Sequence, residues 1–195
     1  MDDASRKGQT IIEALVALSI LTVGLIGVLT LLSRSLYLQR TTADQAKGTY
    51  LAAEGIEIAK SLIDHNVYDG VARGDEMGGW VGSYTGCFNF GAGGAEYYNF
   101  DFRTTAATCG QGSLQPIPSL LYLAPDQNPG MGNVLMYYDK ADAPSGATPT
   151  PFSRDIEVIR SANNTSIDVI ATVTWSEGGI PGKVVLEDVF YNWHP

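Results

Sequence analysis

The sequence is poor in positive charge, in cysteine and in histidine. Its 195 residues contain 12 Lys and Arg against 21 Asp and Glu, which gives a net charge of −9. No cluster of basic residues occurs, and this argues against direct nucleic-acid binding, because phosphate contacts need clustered Lys and Arg. The two cysteines, Cys87 and Cys109, are too few for a metal site built from cysteine pairs. The two histidines, His65 and His194, stand near no catalytic motif, so we expect no enzymatic activity, no cofactor and no metal site.

A long apolar run near the N-terminus is the strongest feature of the sequence. Between Ile11 and Leu32 the only charged residue is Glu13. A helix of this length covers roughly 33 Å at about 1.5 Å per residue, enough to cross a bilayer core of about 30 Å. The run is too long for a secretory signal peptide, and no small-residue cleavage site follows it. A plain membrane anchor explains the length but not Glu13, because a carboxylate at the centre of an inserted helix costs at least ~2.5 kcal/mol.

The residues around Glu13 form a more specific pattern. In "KGQTIIEALVALSILTVGLIGVLTLL" a basic leader ends at Gly8 and the apolar run follows at once. This stretch resembles the N-terminus of type IV prepilins and pseudopilins. The resemblance implies that a prepilin peptidase removes residues 1–8 by cutting between Gly8 and Gln9, and that Gln9 is then N-methylated. It places Glu13 fifth in the mature chain, where the family carries its glutamate, whereas Gln9 departs from the usual Phe or Met.

The same resemblance implies a mode of assembly. The Glu13 carboxylate of one subunit would meet the N-terminal ammonium of a neighbour, because both groups are cheaper to bury as a hydrogen-bonded pair than alone. Residues 9–36 would form a transmembrane helix that becomes the filament core. The implied partners are further copies of this chain or other pilins, the prepilin peptidase, an assembly ATPase and a platform protein. The protein would start as a single-pass protein of the cytoplasmic membrane and end in an extracellular or envelope filament.

The helix is predicted to continue beyond the membrane as an amphipathic helix over residues 37–66. No proline interrupts residues 33–66. Apolar residues recur there at helical spacing, at Ala52, Ile56, Ala59 and Ile63. We expect this stripe to pack on a sheet and the helix to end near Asn66.

Residues 67–150 are predicted to be an irregular region, rich in Gly and Pro, with short strands such as "EYYNFDFR" at 96–103. If the chain is exported, Cys87 and Cys109 would most simply form one disulfide. The stretch "DQNPGMGN" at 126–133 lacks the glycine and glutamate of a calcium loop and favours a turn. Aromatic residues of this region could form either an adhesive surface or part of the core. They are Trp80, Tyr84, Phe88, Phe90, Tyr97, Tyr98, Phe100 and Phe102.

The last segment, residues 151–195, is predicted to be an antiparallel β-meander. Three stretches alternate apolar and polar residues, at 154–160, 165–177 and 182–193, and the turn signals "SANNT" and "EGGIPG" separate them. One face of such a sheet is buried, and the helix would cover it. The predicted fold class is therefore α+β, with a long N-terminal helix packed on a C-terminal antiparallel sheet, as in pilins.

Two functions from different classes fit these features. The first is a structural subunit of a type IV pilus-like filament, polymerised through its N-terminal helix. The alternative is a membrane-anchored extracellular binding domain that does not polymerise, and that would need neither Gly8 nor Glu13.

Overall fold

The protein, seen in a computed structural model, combines one long helix with an antiparallel sheet. The structure describes residues 3–73, 94–105, 109, 113, 115–116, 118–125, 135–139, 143–163 and 165–192. Within these residues the helix, α1, spans Asp3–Arg73. Six strands follow it: β1 Ala95–Tyr98, β2 Ser119–Pro125, β3 Leu135–Tyr138, β4 Thr148–Arg160, β5 Ser166–Glu177 and β6 Ile180–Tyr191. The predicted α+β class is confirmed.

The chain divides into two compact units, Met1–Asp44 and Gln45–Pro195. The first unit contains the N-terminal part of α1, and every side chain that the structure describes from residue 11 to residue 43 is exposed. The second unit contains the rest of α1 and the whole sheet. The hydrophobic core therefore lies in the second unit.

The sheet is antiparallel, and its strands follow the spatial order β3-β2-β4-β5-β6, with β1 paired to β4. Two neighbouring hairpins, β4 with β5 and β5 with β6, form the predicted meander. Along β5 the buried residues alternate, as a strand with one covered face requires. They are Ile167, Val169, Ala171 and Val173, each 0% exposed.

The C-terminal half of α1 covers this face through the predicted apolar stripe. Ala52, Ile56, Ala59 and Ile63 are all buried and belong to the same core cluster as the β5 residues. The helix does not end near Asn66, because Asn66 is itself 2% exposed and Val67 packs on the core. The helix continues instead to Arg73.

The β5–β6 turn is shorter than its sequence suggests. Only Gly178 and Gly179 form it, with φ angles of 59° and 80°, and positive φ at both central residues suits a two-residue hairpin of the kind that favours glycine. Ile180 and Pro181 lie within the predicted turn signal "EGGIPG" but belong to β6. Proline is tolerated there because β6 ends the order of described strands.

The region between helix and meander contributes to the core. The stretch predicted as a strand at 96–103 begins as β1. Two of the aromatic residues, Tyr98 and Phe100, are buried and stack with ring centroids 5.0 Å apart. For these two, the core interpretation is confirmed over the adhesive one. Trp80, Tyr84, Phe88 and Phe90 lie outside the described residues, and so does the loop at 126–133.

Cys109 is partly buried against the core cluster. Its predicted partner, Cys87, lies outside the described residues. The Cys87–Cys109 disulfide therefore stays a prediction.

Candidate functional site

The N-terminal part of α1 is the candidate functional site. One described stretch of helix, Ile11–Tyr68, is long and apolar enough to cross a membrane. Its most apolar 18-residue window has a mean hydropathy of 2.6, and 0% of that window is buried within the chain. Large apolar side chains such as Ile11, Leu21 and Leu31 are each more than half exposed. A surface of this size and composition needs a cover from outside the chain, either lipid or other protein.

The hydroxyl groups in this segment are satisfied by the helix itself. Ser19 Oγ donates to the Val16 carbonyl at 2.7 Å, and Thr22 Oγ1 donates to the Ser19 carbonyl at 2.9 Å. Thr30 Oγ1 does the same toward the Ile26 carbonyl at 2.8 Å. Such bonds let a helix carry hydroxyls into an apolar environment without leaving them unpaired.

Glu13 differs from these hydroxyl residues. It lies in the same helix with its side chain exposed. It makes no hydrogen bond or ion pair with any residue that the structure describes. A carboxylate on an apolar helix with no partner in its own chain would be costly to insert into lipid or bury between helices. A partner from another molecule would remove that cost.

Gly8 and Gln9, the predicted cleavage and methylation positions, lie inside α1. The structure places them within three turns of the helix N-terminus at Asp3. It leaves the cleavage, the methylation and the role of Glu13 as predictions.

Gly24 and Gly27 create small surfaces on this segment. A Cβ added at either position would meet nothing within 4 Å. Nothing in the part of the chain that the structure describes therefore requires glycine there, although each glycine costs the helix about 1 kcal/mol relative to alanine.

Sequence reasoning missed a second group, which fixes α1 to the sheet. Arg154 of β4 is 2% exposed, and its guanidinium donates to the carbonyls of Leu51 and Phe100 and to Glu54. A signal for it existed, because Arg154 shares the strand face of Ile156 and Val158, which are both buried. The group holds the C-terminal part of α1 on the sheet.

Comparison with known proteins bears on the N-terminal segment. Residues 3–29 match the model of the prokaryotic N-terminal methylation motif. No curated protein and no solved structure matches the chain. The motif implies processing by a prepilin peptidase and handling by a pilus assembly machinery, and with the apolar helix it is consistent with anchoring in the inner membrane before assembly. The chain therefore carries, on a pilin-like α+β fold, the N-terminal motif typical of type IV prepilins and pseudopilins.

Proposed function

We propose that this chain is a structural subunit of a type IV pilus-like filament. A prepilin peptidase cuts it between Gly8 and Gln9, and it polymerises through the N-terminal part of α1. The observation that carries the proposal is the apolar segment from Ile11 to Leu32. Its side chains are all exposed, and most of it lies within the matched motif at residues 3–29. Lipid covers this surface before assembly, and the helices of neighbouring subunits cover it afterwards.

Glu13 is the residue that we assign to assembly. Its carboxylate has no partner among the described residues, whereas the nearby hydroxyls of Ser19 and Thr22 bond to their own helix. Cleavage before Gln9 creates a new terminal ammonium, and in a neighbouring subunit that group is the partner which the carboxylate lacks. Pairing the two charges inside an apolar filament core sets the axial offset between subunits.

Mass spectrometry of material sheared from the native cell surface tests processing and polymerisation together. We expect filaments that contain a chain beginning at Gln9, with an added methyl group on that residue. An intact chain that begins at Met1 and stays in the membrane fraction would overturn the proposal. The anchored binding domain would then be the better account.

A matched pair of variants tests the role of Glu13. Glu13→Ala should insert into the membrane normally yet be absent from sheared filaments, because its neighbour's ammonium has lost its partner. Ser19→Ala lies in the same segment and loses only a bond to its own helix, so it should enter filaments as the unaltered chain does. Equal incorporation of the two variants would contradict the assignment.

A further inference from the structure

The outer side of β6 is an edge of the described sheet. β6 ends the strand order, and no described strand pairs with its outer side. Three residues near the middle of β6 are exposed and lie on the sheet face opposite α1, namely Lys183, Val185 and Glu187. Neither Lys183 nor Glu187 has an ion-pair partner in the part of the chain that the structure describes.

The hydrogen-bond pattern shows which β6 residues point their main chain outward. Asn192 N donates to the Thr165 carbonyl at 2.9 Å, in line with the register that pairs Ser166 with Tyr191. Because bonded and non-bonded pairs alternate in an antiparallel ladder, the even-numbered residues of β6 bond to β5. The odd-numbered residues, including Lys183, Val185 and Glu187, present their N–H and C=O groups to the open edge.

Toward each end of β6, one outward-facing residue has no free N–H group to donate. Pro181 has no N–H group to offer. Val189 donates its N–H to the Asp188 carboxylate at 2.9 Å, so that donor is already used. Between these two positions, the outward N–H groups available for pairing are those of Lys183, Val185 and Glu187.

We propose that two copies of this chain associate edge to edge through β6, as an antiparallel pair centred on Val185. This register places Lys183 opposite Glu187 of the second copy, and Glu187 opposite Lys183 of the second copy. Opposite charges that face each other across a strand pair stabilise it, whereas a parallel pairing in register would place like charges together. The two-fold arrangement also places Pro181 opposite Val189 of the second copy, so the position without a donor meets the position whose donor is already bonded.

Val185 forms the apolar centre of the contact. Its side chain is 49% exposed, and in this register it lies directly against Val185 of the second copy. The axis of the pair is normal to the sheet. The two sheets join into one continuous sheet, and residues 45–73 of α1 lie on the same side of it in both copies. The contact uses only the second unit of the chain, so it is independent of assembly through Glu13.

Site-specific cross-linking of the full chain, purified in mild detergent, tests this pairing. With Val185→Cys, the two Cα atoms of the central bonded pair lie about 5.5 Å apart, within the range of a disulfide. Thr174→Cys is the matched control, because Thr174 is exposed on the same sheet face in β5 and the two β5 strands would lie roughly 14 Å apart. The unaltered chain measures any contribution of Cys87 and Cys109. We expect the yield of covalent dimer from Val185→Cys to exceed that from Thr174→Cys at least about fivefold.

Charge reversal in the Val185→Cys chain tests the register. Lys183→Glu alone should lower the dimer yield about fivefold, because two attractive pairs become repulsive. Adding Glu187→Lys restores opposite charges at both positions and should restore the yield. Thermal unfolding of each variant checks that the exposed substitutions leave the fold intact.

Two outcomes would overturn the proposal. One is equal dimer yield from the Val185→Cys and Thr174→Cys chains. The other is failure of the double reversal to recover what Lys183→Glu loses. A Glu13→Ala substitution in the Val185→Cys chain separates this contact from the filament contact, since the dimer should persist while incorporation into filaments is lost.

Discussion

Arg154 donates a hydrogen bond of 2.8 Å from Nη1 to the main-chain carbonyl of Leu51. A side chain of β4 thereby holds the backbone of α1 inside the core. The same nitrogen lies 3.2 Å from Oε2 of Glu54, and Nη2 donates to the carbonyl of Phe100. Three separate parts of the chain thus meet at one guanidinium.

Replacing this guanidinium should destabilise the fold. We expect Arg154→Met to lower the free energy of unfolding by about 2–3 kcal/mol, because two carbonyls and a carboxylate lose a charged donor. Most of the loss should come from the hydrogen bonds, since Glu54 is 31% exposed and water screens its ion pair. Thermal or denaturant unfolding of the purified chain, followed by circular dichroism, measures the effect.

Lys60→Met is the matched control for this prediction. Lys60 is an exposed cation on α1, and its loss should change the unfolding free energy by no more than about 0.5 kcal/mol. An Arg154→Met chain as stable as the Lys60→Met chain would show that the buried hydrogen bonds contribute no net stability.

Gly48 allows α1 to approach the ring of Trp175. A Cβ at Gly48 would lie 2.6 Å from Cζ3 of Trp175, closer than any ordinary contact. We therefore expect Gly48→Ala to cost about 1–3 kcal/mol through overpacking, although alanine favours a helix by about 1 kcal/mol. Chemical unfolding of the variant measures the difference.

Two further variants locate the cause of that cost. Gly24→Ala is the control, because an added Cβ there meets nothing within 4 Å. This substitution should not destabilise the second unit of the chain. In a chain that also carries Trp175→Leu, the Gly48→Ala substitution should cost less, which a double-mutant cycle detects. Additive effects would rule out the contact with Trp175 as the cause.

Tyr97 should make the stability of the protein depend on pH in the alkaline range. Its hydroxyl donates to Oε1 of Glu157 at 2.9 Å, and this bond, followed by burial and nearby carboxylates, raises the pKa of Tyr97 above its ordinary value. The folded state thus holds the phenol proton more tightly than the unfolded state. The resulting stabilisation is fully present below about pH 10 and is lost as the pH rises through the folded-state pKa.

Unfolding measured at a series of pH values from about 9 to 11 tests this prediction. The unfolding free energy should fall as the pH rises through this range. In a Tyr97→Phe chain, the part of this decrease that comes from the Tyr97 hydroxyl should vanish. Tyr191→Phe, at a position 70% exposed, should keep that loss. Identical pH profiles for the unaltered and the Tyr97→Phe chains would contradict the prediction.

Much of the fold follows from local patterns in the sequence. The helical spacing of Ala52, Ile56, Ala59 and Ile63 predicted the stripe that packs on the sheet. Period-2 alternation predicted β5 within a residue of its observed start. These predictions succeed because burial of one face dictates the period of apolar residues in each kind of element.

Other features depend on contacts that a local pattern does not contain. Asn66 is a reasonable helix end by its residue type, yet its burial and the packing of Val67 carry the helix further. The residue type and neighbours of Pro181 predict a turn. It nevertheless fits in β6, because β6 is the last strand in the spatial order of the described sheet. For the candidate site, the sequence indicates Gly8, Gln9 and Glu13, whereas the partners that we propose for them belong to other molecules, which the fold of one chain does not contain.

Pairing through the open edge of β6 would fix the relative orientation of the two copies. A two-fold axis normal to the sheet reverses any helix that lies along the sheet, so the two copies of α1 over a β6 pair run opposite ways. In the filament that we propose, all subunits would point in the same direction, so two neighbours there would not be related by such an axis. Taken together, the two proposals mean that the β6 edge, with Pro181 at one end and Asp188 near the other, pairs chains from different filaments rather than neighbours within one filament.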